Sequence, residues 1–578
     1  MVICAAFYVY FNLHKNIWRY TTARDLMRFC YATVFAIAAG GFILSTTLGF
    51  ENFPRSVFII LPLLQIAVSA SPRIFLRLWH DKVFQTALNS HKSQENVLLI
   101  GVNDAADLFV RENRRQKPMR FNIVGAIDED NNQKGRLFHG IPVLIALDNL
   151  AKTLLSLDKK GFPVKMFIIA EAKGEVLKKI IDIAAAQNII VKRIPTISNL
   201  KDGNKLTDLK PVLIEDLLGR DTVELDNSSI ADLLNNKTIL VTGAGGSIGR
   251  ELCRQIVKHN PEHMLLLDHS EDALYHVDME FYKKYPKIKR TSILVDIKNK
   301  DDINNVLKEH KPSIIFHAAA YKHVPMIEAN PISGIENNLL GTMTLTNAAI
   351  EAGVPKMVIV STDKAVNPTN VMGATKRAAE MYSLGASKDT STDIIAVRFG
   401  NVLGSNGSVI PLFTKQIIEG GPLTVTHKDA TRYFMTIPEA SQLILQAAAK
   451  GHGGNLFMLD MGESVKIVHL AEQMIRLSGL TPYEDIDIEI TGLRPGEKLF
   501  EELWYNEEGM EKTDMEKTFL VNPNSLSKKE TQEKVAAIEA ACQQQNEFLA
   551  VQTLKELVKE YQPSHNSPYQ ALNDSEND

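Results

Sequence analysis

An aspartate and a lysine stand side by side at Asp363 and Lys364, directly after a strand-like apolar run, Lys356–Ser361. A carboxylic acid and an amine held together can supply the acid and the base of a proton-transfer reaction. Most such pairs lie on solvated loops, and the residue types alone favour that interpretation. Their position after a strand changes the interpretation, because open α/β sheets bind ligands at the carboxyl ends of their strands. We therefore predict an acid–base pair in a ligand-binding cleft.

A glycine-rich turn connects a strand-like run, Lys237–Val241, to a helical stretch that begins at Arg250. Its sequence is TGAGGSIG, with glycines spaced as G-x-x-G-x-x-G. Glycines at this spacing permit a tight turn, a close backbone approach to phosphate, and a helix whose N-terminus faces the negative charge. A structural glycine loop is the alternative, but the strand and helix around it favour a dinucleotide site. The residues predicted to hold the pyrophosphate are Gly243, Gly246, Ser247, Ile248 and Gly249.

The next strand-like run, MLLLD, ends in Asp268, about 20 residues beyond the last glycine. A carboxylate there binds the adenosine ribose hydroxyls and disfavours a 2′-phosphate, so the expected cofactor is NAD, with NADP less favoured. A third run ends at Asp296, and a fourth ends in the small residues Ala318 and Ala319, which would let a cofactor lie close.

Repeated strand–helix units position these residues in an α/β catalytic domain over 237–525. A polar linker, 211–236, precedes it. Residues 526–578 form a polar helical extension followed by a tail, SHNSPYQALNDSEND, which lacks the apolar residues needed to fold. We expect that tail to be disordered.

A smaller α/β domain with parallel strands is predicted over 93–210. Its first turn keeps Gly101 but has Asn103 and Ala106 where later glycines of a dinucleotide-binding turn would stand. The Asn103 side chain would crowd the backbone approach that a pyrophosphate needs. The sequence therefore favours a Rossmann-like domain that is non-catalytic.

Residues 1–92 are far more apolar than the rest of the chain. Phe29–Phe50 carries no charge and is long enough to cross roughly 30 Å of hydrocarbon, and Ser56–Pro72 is a second, shorter uncharged run. Buried core helices are the alternative, but these runs lack a polar face. We expect at least two transmembrane helices, with Met1–Leu13 as the possible end of a third. Basic residues flank the pair on both outer sides, which predicts a multi-pass protein of the bacterial inner membrane with its catalytic domain in the cytoplasm.

The composition excludes several classes of function. A net charge of −4 without a clustered basic face argues against a nucleic-acid partner. The four cysteines, Cys4, Cys30, Cys253 and Cys542, have no metal-ligand spacing, so we expect no metal site.

Several motifs resemble a known family. The glycine turn, HAAAYKHVP, the Asn338-Leu-Leu-Gly-Thr segment and RFGNVLGSNGSVIP resemble an extended short-chain dehydrogenase/reductase. STDKAVNPTNVMGATKR and LRPGEKLFEEL narrow the resemblance to the CapD-type membrane-bound nucleotide-sugar 4,6-dehydratases. It implies a small C-terminal substrate-binding lobe and conversion of a UDP-sugar, such as UDP-N-acetylglucosamine, to its 4-keto-6-deoxy form for surface polysaccharide. It also implies that Asp363 protonates the departing O6 and that Lys364 removes the C5 proton. A homo-oligomer is also expected.

One departure from the superfamily lies in its usual Tyr-x-x-x-Lys pair, which is Met372-Gly-Ala-Thr-Lys376 in this chain. Lys376 can still hold the nicotinamide ribose, but a methionine cannot take the C4 hydroxyl proton. A subgroup of long dehydratases resembles this pattern, so the methionine does not imply loss of activity. Thr362 is the candidate for orienting the C4 hydroxyl, and the final acceptor of its proton stays open.

The substrate residues also follow from the resemblance. Arg432 and Arg494 resemble the two arginines that clamp a nucleotide diphosphate, and a guanidinium suits phosphate because its planar fork binds two oxygens. Either arginine could instead belong to a surface salt bridge. Glu497 would accept hydrogen bonds from the uridine ribose, and Asn401 and Lys322 are expected to face the same cleft.

Two other functions are open to a chain with these motifs. A UDP-sugar 4-epimerase would need a tyrosine base at Met372 and would not need the Asp363–Lys364 pair. A non-catalytic membrane scaffold that senses nucleotides is favoured by the missing tyrosine, but the acid–base pair and the arginines count against it.

Overall fold

The structure is a computed structural model that divides by its contacts into two units. One comprises Met1–Glu95 with Arg111–Asn122, and the other Asn96–Val110 with Ile123–Asp578. The residues that the structure describes are 10, 31–40, 42, 46, 60, 64 and then 95–576, apart from 117–118, 129–134, 145–148, 173, 188, 196–206, 213, 218–225, 389, 504–508 and 523–527.

The predicted transmembrane helices require a correction. Among the described residues, no helix combines the length and the apolar character needed to cross a bilayer. The expectation of transmembrane helices is therefore wrong, and so are the membrane partner and the inner-membrane location that rested on it. Nearly half of Phe29–Phe50, most of Ser56–Pro72 and nearly all of Met1–Leu13 lie outside the described residues.

The smaller α/β domain is built on a seven-stranded sheet in the order β3-β4-β2-β1-β5-β6-β7. Its strands are β1 (Glu95–Ile100), β2 (Phe121–Ile127), β3 (Leu137–Phe138), β4 (Ile141–Leu144), β5 (Met166–Ile169), β6 (Ile190–Arg193) and β7 (Lys210–Pro211). Its helices are α1 (Asp104–Arg115), α2 (Leu150–Lys159), α3 (Gly174–Ala186) and α4 (Ile214–Leu217).

The side chain of Asn103 fills the turn after β1. Asn103 donates to Glu171 Oε2 at 2.7 Å and accepts from the backbone N–H of Ala106 at 2.9 Å. The Asn103 side chain thus bonds to the start of α1, where a dinucleotide-binding turn has a glycine. That the domain is non-catalytic stays a prediction.

The catalytic part is built on a nine-stranded sheet in the order β10-β9-β8-β11-β12-β13-β17-β21-β20. The strands from β10 to β17 run parallel, and β21 and β20 are antiparallel additions. The order reverses between β8 and β11, and such a switch point opens a crevice at the carboxyl ends of the strands. The strands are β8 (Thr238–Thr242), β9 (His263–Asp268), β10 (Arg290–Leu294), β11 (Ile314–His317), β12 (Lys356–Val360), β13 (Asp393–Arg398), β17 (Leu456–Leu459), β20 (Met510–Lys512) and β21 (Thr518–Val521).

Helices cover both faces of this sheet. Alternate strand residues point to opposite faces, so Ile239 and Val241 enter one apolar core while Leu240 enters the other. This arrangement confirms the α/β part of the predicted fold. The helices are α5 (Asn227–Leu234), α6 (Ser247–Ile256), α7 (Glu271–Lys284), α8 (Lys300–His310), α9 (Val324–Glu328), α10 (Pro331–Ile335), α11 (Gly341–Glu351), α12 (Val371–Ser387) and α14 (Ile437–Lys450).

A lobe of short strands and two helices stands beside the carboxyl ends of the sheet. It contains β14 (Asn401–Val402), β15 (Leu423–Val425), β16 (Thr431–Met435), β18 (Ser464–Lys466), β19 (Ile488–Ile490), α13 (Val409–Ile418) and α15 (Ile467–Leu477). One apolar core continues from the smaller α/β domain into this lobe. At its edge, Gln473 and Arg476 on α15 contact Asp182 on α3, at 3.3 and 3.7 Å.

The C-terminal extension differs from its prediction. Helices α16 (Lys528–Gln543) and α17 (Glu547–Leu557) pack on α12, and the segment expected to be disordered continues to a short helix, Gln570–Glu576. Tyr569 and Leu572 are buried in this segment. Its backbone bonds to the loop before α12, where Ser564 N donates to Thr369 O at 3.0 Å. Two apolar anchors and main-chain hydrogen bonds are enough to order a segment whose average composition is polar.

A buried carboxylate joins this extension to the catalytic part. Glu328 accepts from Val371 N at 2.7 Å and from the Ser567 hydroxyl at 2.7 Å. It lies at the end of α9 and is 2% exposed. Its two donors come from the first turn of α12 and from the C-terminal segment, so one side chain connects three parts of the chain.

Glu328→Ala should lower the free energy of unfolding by about 1–3 kcal/mol, because it leaves the two buried donors without their acceptor. Chemical denaturation measures the change. Glu351→Ala, at an exposed position on α11, is the matched control and should stay within about 0.5 kcal/mol of the unmodified chain. Equal stability of the two variants would contradict this role of Glu328.

Candidate active site

The glycine turn after β8 is packed so tightly that side chains cannot enter it. Gly243 has φ +65°, and a methyl group there would lie 2.7 Å from the backbone nitrogen of Ala319. A methyl group on Gly249 would lie 2.1 Å from the Gly243 carbonyl oxygen. Gly245, which the sequence did not single out, approaches Ala273 in the same way, at 2.5 Å. The close approach of α6, α7 and β11 to this turn therefore depends on its glycines.

The turn and its surroundings fit a dinucleotide. Gly246 is the N-cap of α6, and among the described residues no side chain caps that helix end, so its first N–H groups face the crevice. Asp268, at the end of β9, accepts from Gly245 N at 2.9 Å and from Ser270 N at 3.0 Å. Each carboxylate oxygen keeps a lone pair that a ribose hydroxyl could use.

A buried histidine closes the floor between β8 and β11. His317 Nδ1 lies 2.8 Å from the Thr242 hydroxyl, and its Nε2 lies 2.9 Å from the Thr342 hydroxyl. Burial and the nearby charge of Lys376 lower the pKa of His317 to about 3. The ring is therefore neutral and serves as a structural bridge between the two threonines.

The triplet Thr362-Asp363-Lys364, predicted to be catalytic, begins a short 3₁₀ turn after β12. Asp363 Oδ1 accepts from the Thr362 hydroxyl at 3.0 Å and from Lys364 Nζ at 3.1 Å. Lys364 Nζ also donates to Asn401 Oδ1 at 3.3 Å. The three side chains thus form one hydrogen-bonded group, with Asp363 1% exposed.

Glu501 completes this group, although the sequence did not identify it. Its Oε1 lies 2.6 Å from Lys364 Nζ, and its Oε2 accepts from Asn401 Nδ2 at 3.1 Å. Burial and the charge of Glu501 raise the pKa of Asp363 to about 7. Asp363 is thereby suited to hold and release a proton near neutral pH. The only sequence signal for Glu501 was its place in the LRPGEKLFEEL motif.

Lys376 and Met372 lie on the first turns of α12. Lys376 Nζ donates to the Val360 carbonyl at 2.8 Å, and burial lowers its pKa to about 8. Met372 is 3% exposed and packs in the apolar cluster beneath the C-terminal helices. Met372 therefore offers the cleft a thioether where the superfamily has a phenol.

Arg432 connects two carboxylates at the lobe side. Its guanidinium lies 2.8 Å from Glu497 Oε1 and 3.3 Å from Glu501 Oε1. Glu497 also accepts from the Thr426 hydroxyl at 3.0 Å and from Arg494 N at 3.2 Å. Arg494 itself is exposed, so its guanidinium stands at the rim.

One cleft of about 920 Å³ brings most of the predicted site residues together. A smaller cavity of about 180 Å³ adjoins it and adds Asp363 and Glu501. Four of the predicted residues do not line either space, namely Gly243, Asp268, Asp296 and Ala319. The Asp296 carboxylate instead accepts a hydrogen bond from Lys298 N at 3.0 Å. Among the described residues, no cluster of three or more His, Cys, Asp or Glu side chains could hold a metal ion. The predicted residues that line the main cleft are Gly246, Ser247, Ile248, Gly249, Ala318, Lys322, Thr362, Lys364, Met372, Lys376, Asn401, Arg432, Arg494 and Glu497.

The doubly wound sheet, the glycine turn and the acid–base triplet define an extended short-chain dehydrogenase/reductase. Residues 239–523 match the family described as polysaccharide biosynthesis protein. The chain is 44% identical over 499 residues to the capsular polysaccharide biosynthesis protein CapD of Staphylococcus aureus, covering 85% of this chain and 82% of that protein. The chain belongs to this CapD-type family, so the resemblance found in its motifs is confirmed.

The names of two further relatives state a specific enzyme activity. The inverting UDP-N-acetylglucosamine 4,6-dehydratase of Campylobacter jejuni is 31% identical over 296 residues, covering 50% of this chain and 84% of that protein. The UDP-glucose 4-epimerase of Rickettsia massiliae is 31% identical over 335 residues, covering 56% and 95%. The chain is thus related to nucleotide-sugar dehydratases and epimerases.

Gly249→Ala should lower the free energy of unfolding by about 1–3 kcal/mol, because the added methyl group forces the turn away from α6. Gly509→Ala is the matched control, since its nearest neighbour would be Asn522 Nδ2 at 3.9 Å. Denaturant titration measures the free energy of unfolding of both variants. Equal values for Gly249→Ala and Gly509→Ala would show that the turn does not need a glycine at position 249.

Proposed function

We propose that this chain catalyses the NAD-dependent 4,6-dehydration of a UDP-sugar, with UDP-N-acetylglucosamine as the expected substrate, for surface polysaccharide biosynthesis. The observation that carries the proposal is the buried carboxyl group of Asp363, hydrogen-bonded to Lys364 at the edge of a nucleotide-sized cleft, where burial and the charge of Glu501 raise its pKa to about 7. A dehydration needs both an acid for the leaving hydroxyl and a base for the neighbouring carbon.

The cofactor would be held by residues on the sheet side of the cleft. Asp268 would bind the adenosine ribose, the turn Gly243–Gly249 would bind the pyrophosphate, and Lys376 would bind the nicotinamide ribose. When bound, NAD supplies the acceptor for the C4 hydride, which returns to C6 at the end of the cycle. The carboxylate of Asp268 favours NAD over NADP by repelling a 2′-phosphate.

The triplet would then carry the proton transfers. Thr362 orients the C4 hydroxyl, whose oxidation to a ketone makes the C5 proton acidic. Lys364 removes the C5 proton while Asp363 gives its proton to O6, and the C6–O6 bond breaks to release water. Lys364 returns its proton to C5 when C6 is reduced. Asp363 regains a proton through water, which replaces the proton given to O6 and balances the proton released from the C4 hydroxyl, so the product is the 4-keto-6-deoxy sugar.

The diphosphate would be bound at the lobe side of the cleft. Arg432 and Arg494 supply guanidinium groups, and Glu497 can accept from the uridine ribose. Because Arg432 is paired with Glu497 and Glu501 in the free protein, substrate binding exchanges carboxylate partners for phosphate oxygens. Asn401 and Lys322 line the same space.

The product mass after incubation with UDP-N-acetylglucosamine and NAD tests the function. A dehydratase yields a product lighter by one water, a 4-epimerase yields a product of unchanged mass but altered stereochemistry, and a scaffold yields no product. The likeness to a named 4-epimerase makes epimerisation the second candidate. Met372 and the protonated Asp363 weigh against it, because epimerisation needs a base for the C4 hydroxyl and no acid for O6.

Asp363→Asn should stall the reaction after oxidation, because an amide cannot give up a proton to O6. Reduced cofactor should accumulate and be visible by its near-ultraviolet absorbance, while turnover falls by about a hundred- to ten-thousandfold. For the unmodified chain, kcat/KM should decline as the pH rises through about 7, since the acid must be protonated. Asp514→Asn, at an exposed position, is the control and should match the unmodified enzyme. Normal turnover of Asp363→Asn would remove Asp363 from the mechanism.

Met372→Leu should change turnover little, because a thioether neither ionises nor donates a proton and the exchange conserves volume. Thr362→Val should lower turnover more than about tenfold, because it removes the hydroxyl assigned to the C4 position. Both variants are to be compared at equal cofactor occupancy. A crippled Met372→Leu beside a nearly normal Thr362→Val would refute the assignment.

A further inference from the structure

Glu501 is the most enclosed carboxylate on the lobe side of the active site, with 4% of its side chain exposed. Its Oε1 contacts two cations, Lys364 Nζ at 2.6 Å and Arg432 Nε at 3.3 Å. Its Oε2 accepts from Asn401 Nδ2 at 3.1 Å. A side chain with this set of contacts is held in one position and acts on Lys364 directly.

The position of Glu501 bears on a difficulty in the proposed function, on which this inference rests. A lysine can remove the C5 proton only as a neutral amine. Lys364 lies between Asp363 and Glu501. Burial opposes ionisation of Lys364, but the charge of Asp363 when that group is ionised, together with the charge of Glu501, raises the pKa of Lys364 above its ordinary value. In the free protein Lys364 is therefore an ammonium, and it must pass a proton to another group before it can act as a base.

We propose that Glu501 is the positioning residue that activates Lys364, by accepting a proton from its ammonium group when the substrate binds. An N–H bond of Lys364 breaks with its electron pair left on Nζ, and an O–H bond forms at Glu501 Oε1. The neutral amine then takes the C5 proton and later returns it to C5. Glu501 gives its own proton back to Lys364 as the product leaves, so no proton is gained or lost.

Arg432 supplies the link to substrate binding. Burial opposes ionisation of Glu501, but the charges of Lys364 and Arg432 hold its pKa below the ordinary value. A diphosphate that engages Arg432 draws this guanidinium away from Glu501 and brings negative charge beside it. Both changes raise the proton affinity of Glu501, and the shortest path for a proton runs from Lys364. The base therefore becomes active only when the nucleotide is in place.

The other charged groups around this cluster do not replace Glu501. Glu497 bonds Arg432 and Thr426, and Lys498 bonds the Val366 carbonyl and lies 3.6 Å from Glu502. Lys322 lines both spaces and adds positive charge, as Lys498 does. Among the described residues, Asp363 and Glu501 are the carboxylates that pair with Lys364 Nζ, and Asp363 must keep its proton for O6.

Glu501→Gln tests the proposal, with Glu502→Gln as the matched control. Glutamine keeps the shape and can still accept from Asn401, but it cannot take a proton. We expect kcat to fall at least about tenfold while KM for UDP-N-acetylglucosamine changes little. The ratio of unmodified to variant kcat should shrink as the pH rises. The variant lacks the Glu501 charge that raises the pKa of Lys364, so its lysine gives up a proton to solvent at a lower pH. Glu502, which is 52% exposed and bonds Asn367, should tolerate the change.

A second variant, Glu501→Asp, distinguishes the loss of a proton acceptor from misfolding of the protein. Glu501→Asp keeps an ionisable acceptor farther from Lys364, so it should be slower than the unmodified enzyme yet keep the same pH profile. A loss of kcat in Glu501→Gln that is equal at every pH, or a normal kcat, would overturn the proposal. A changed pH profile of kcat in Glu501→Asp would also overturn the proposal. So would a loss of kcat in Glu502→Gln that is as large as the loss in Glu501→Gln. If the unmodified enzyme releases no water from the sugar, the proposed function itself fails.

Discussion

The carboxylate of Glu380, on the buried side of α12, accepts hydrogen bonds from Arg398 Nε at 2.9 Å and from the Ser361 hydroxyl at 2.5 Å. Arg377 adds an ion pair at 3.4 Å. Two arginines, Arg377 and Arg398, face the single carboxylate of Glu380, so a second carboxylate is needed to balance their charge. Glu560, in the C-terminal extension, supplies it and pairs with Arg377 at 3.1 Å. Breaking a buried network of this kind by removing one partner typically costs about 3–5 kcal/mol. The extension is thus part of the charge balance under the active site.

The position of the triplet Thr362-Asp363-Lys364 depends on this network. Ser361 immediately precedes Thr362, and the backbone N–H groups of Ser361 and Asp363 donate to Val397 and Phe399 at 2.8 and 3.0 Å. These two hydrogen bonds fix the end of β12 to the end of β13, and they hold Asp363 in its buried position. Burial and the charge of Glu501 raise the pKa of Asp363 to about 7, whereas the neighbouring carboxylates favour the ionised form of Lys364. In the proposed mechanism, the carboxylates that surround Lys364 therefore create the need for a group that accepts its proton.

The sequence predicted what depends on local pattern and could not predict what depends on distant contacts. The glycine turn, Asp268 and the triplet stand next to strands, so strand order alone brings them near the crevice. Glu501 lies on a segment without regular structure, and only its packing against Asn401 and Lys364 reveals its role. The C-terminal segment was misjudged because its order comes from bonds to Thr369 and Glu328 rather than from its own composition. The transmembrane prediction relied on the length of uncharged runs, and no helix among the described residues is long and apolar enough to cross a bilayer.

The central claim is that hydride leaves C4 and returns at C6 of the same sugar while water is lost from C5 and C6. UDP-N-acetylglucosamine carrying deuterium at C4 tests it most directly, with the product examined by mass spectrometry and nuclear magnetic resonance. If the proposed dehydration is correct, the product has lost one water and carries the deuterium on its C6 methyl group. Deuterium still at C4 in a product that keeps its water would contradict the account and indicate epimerisation.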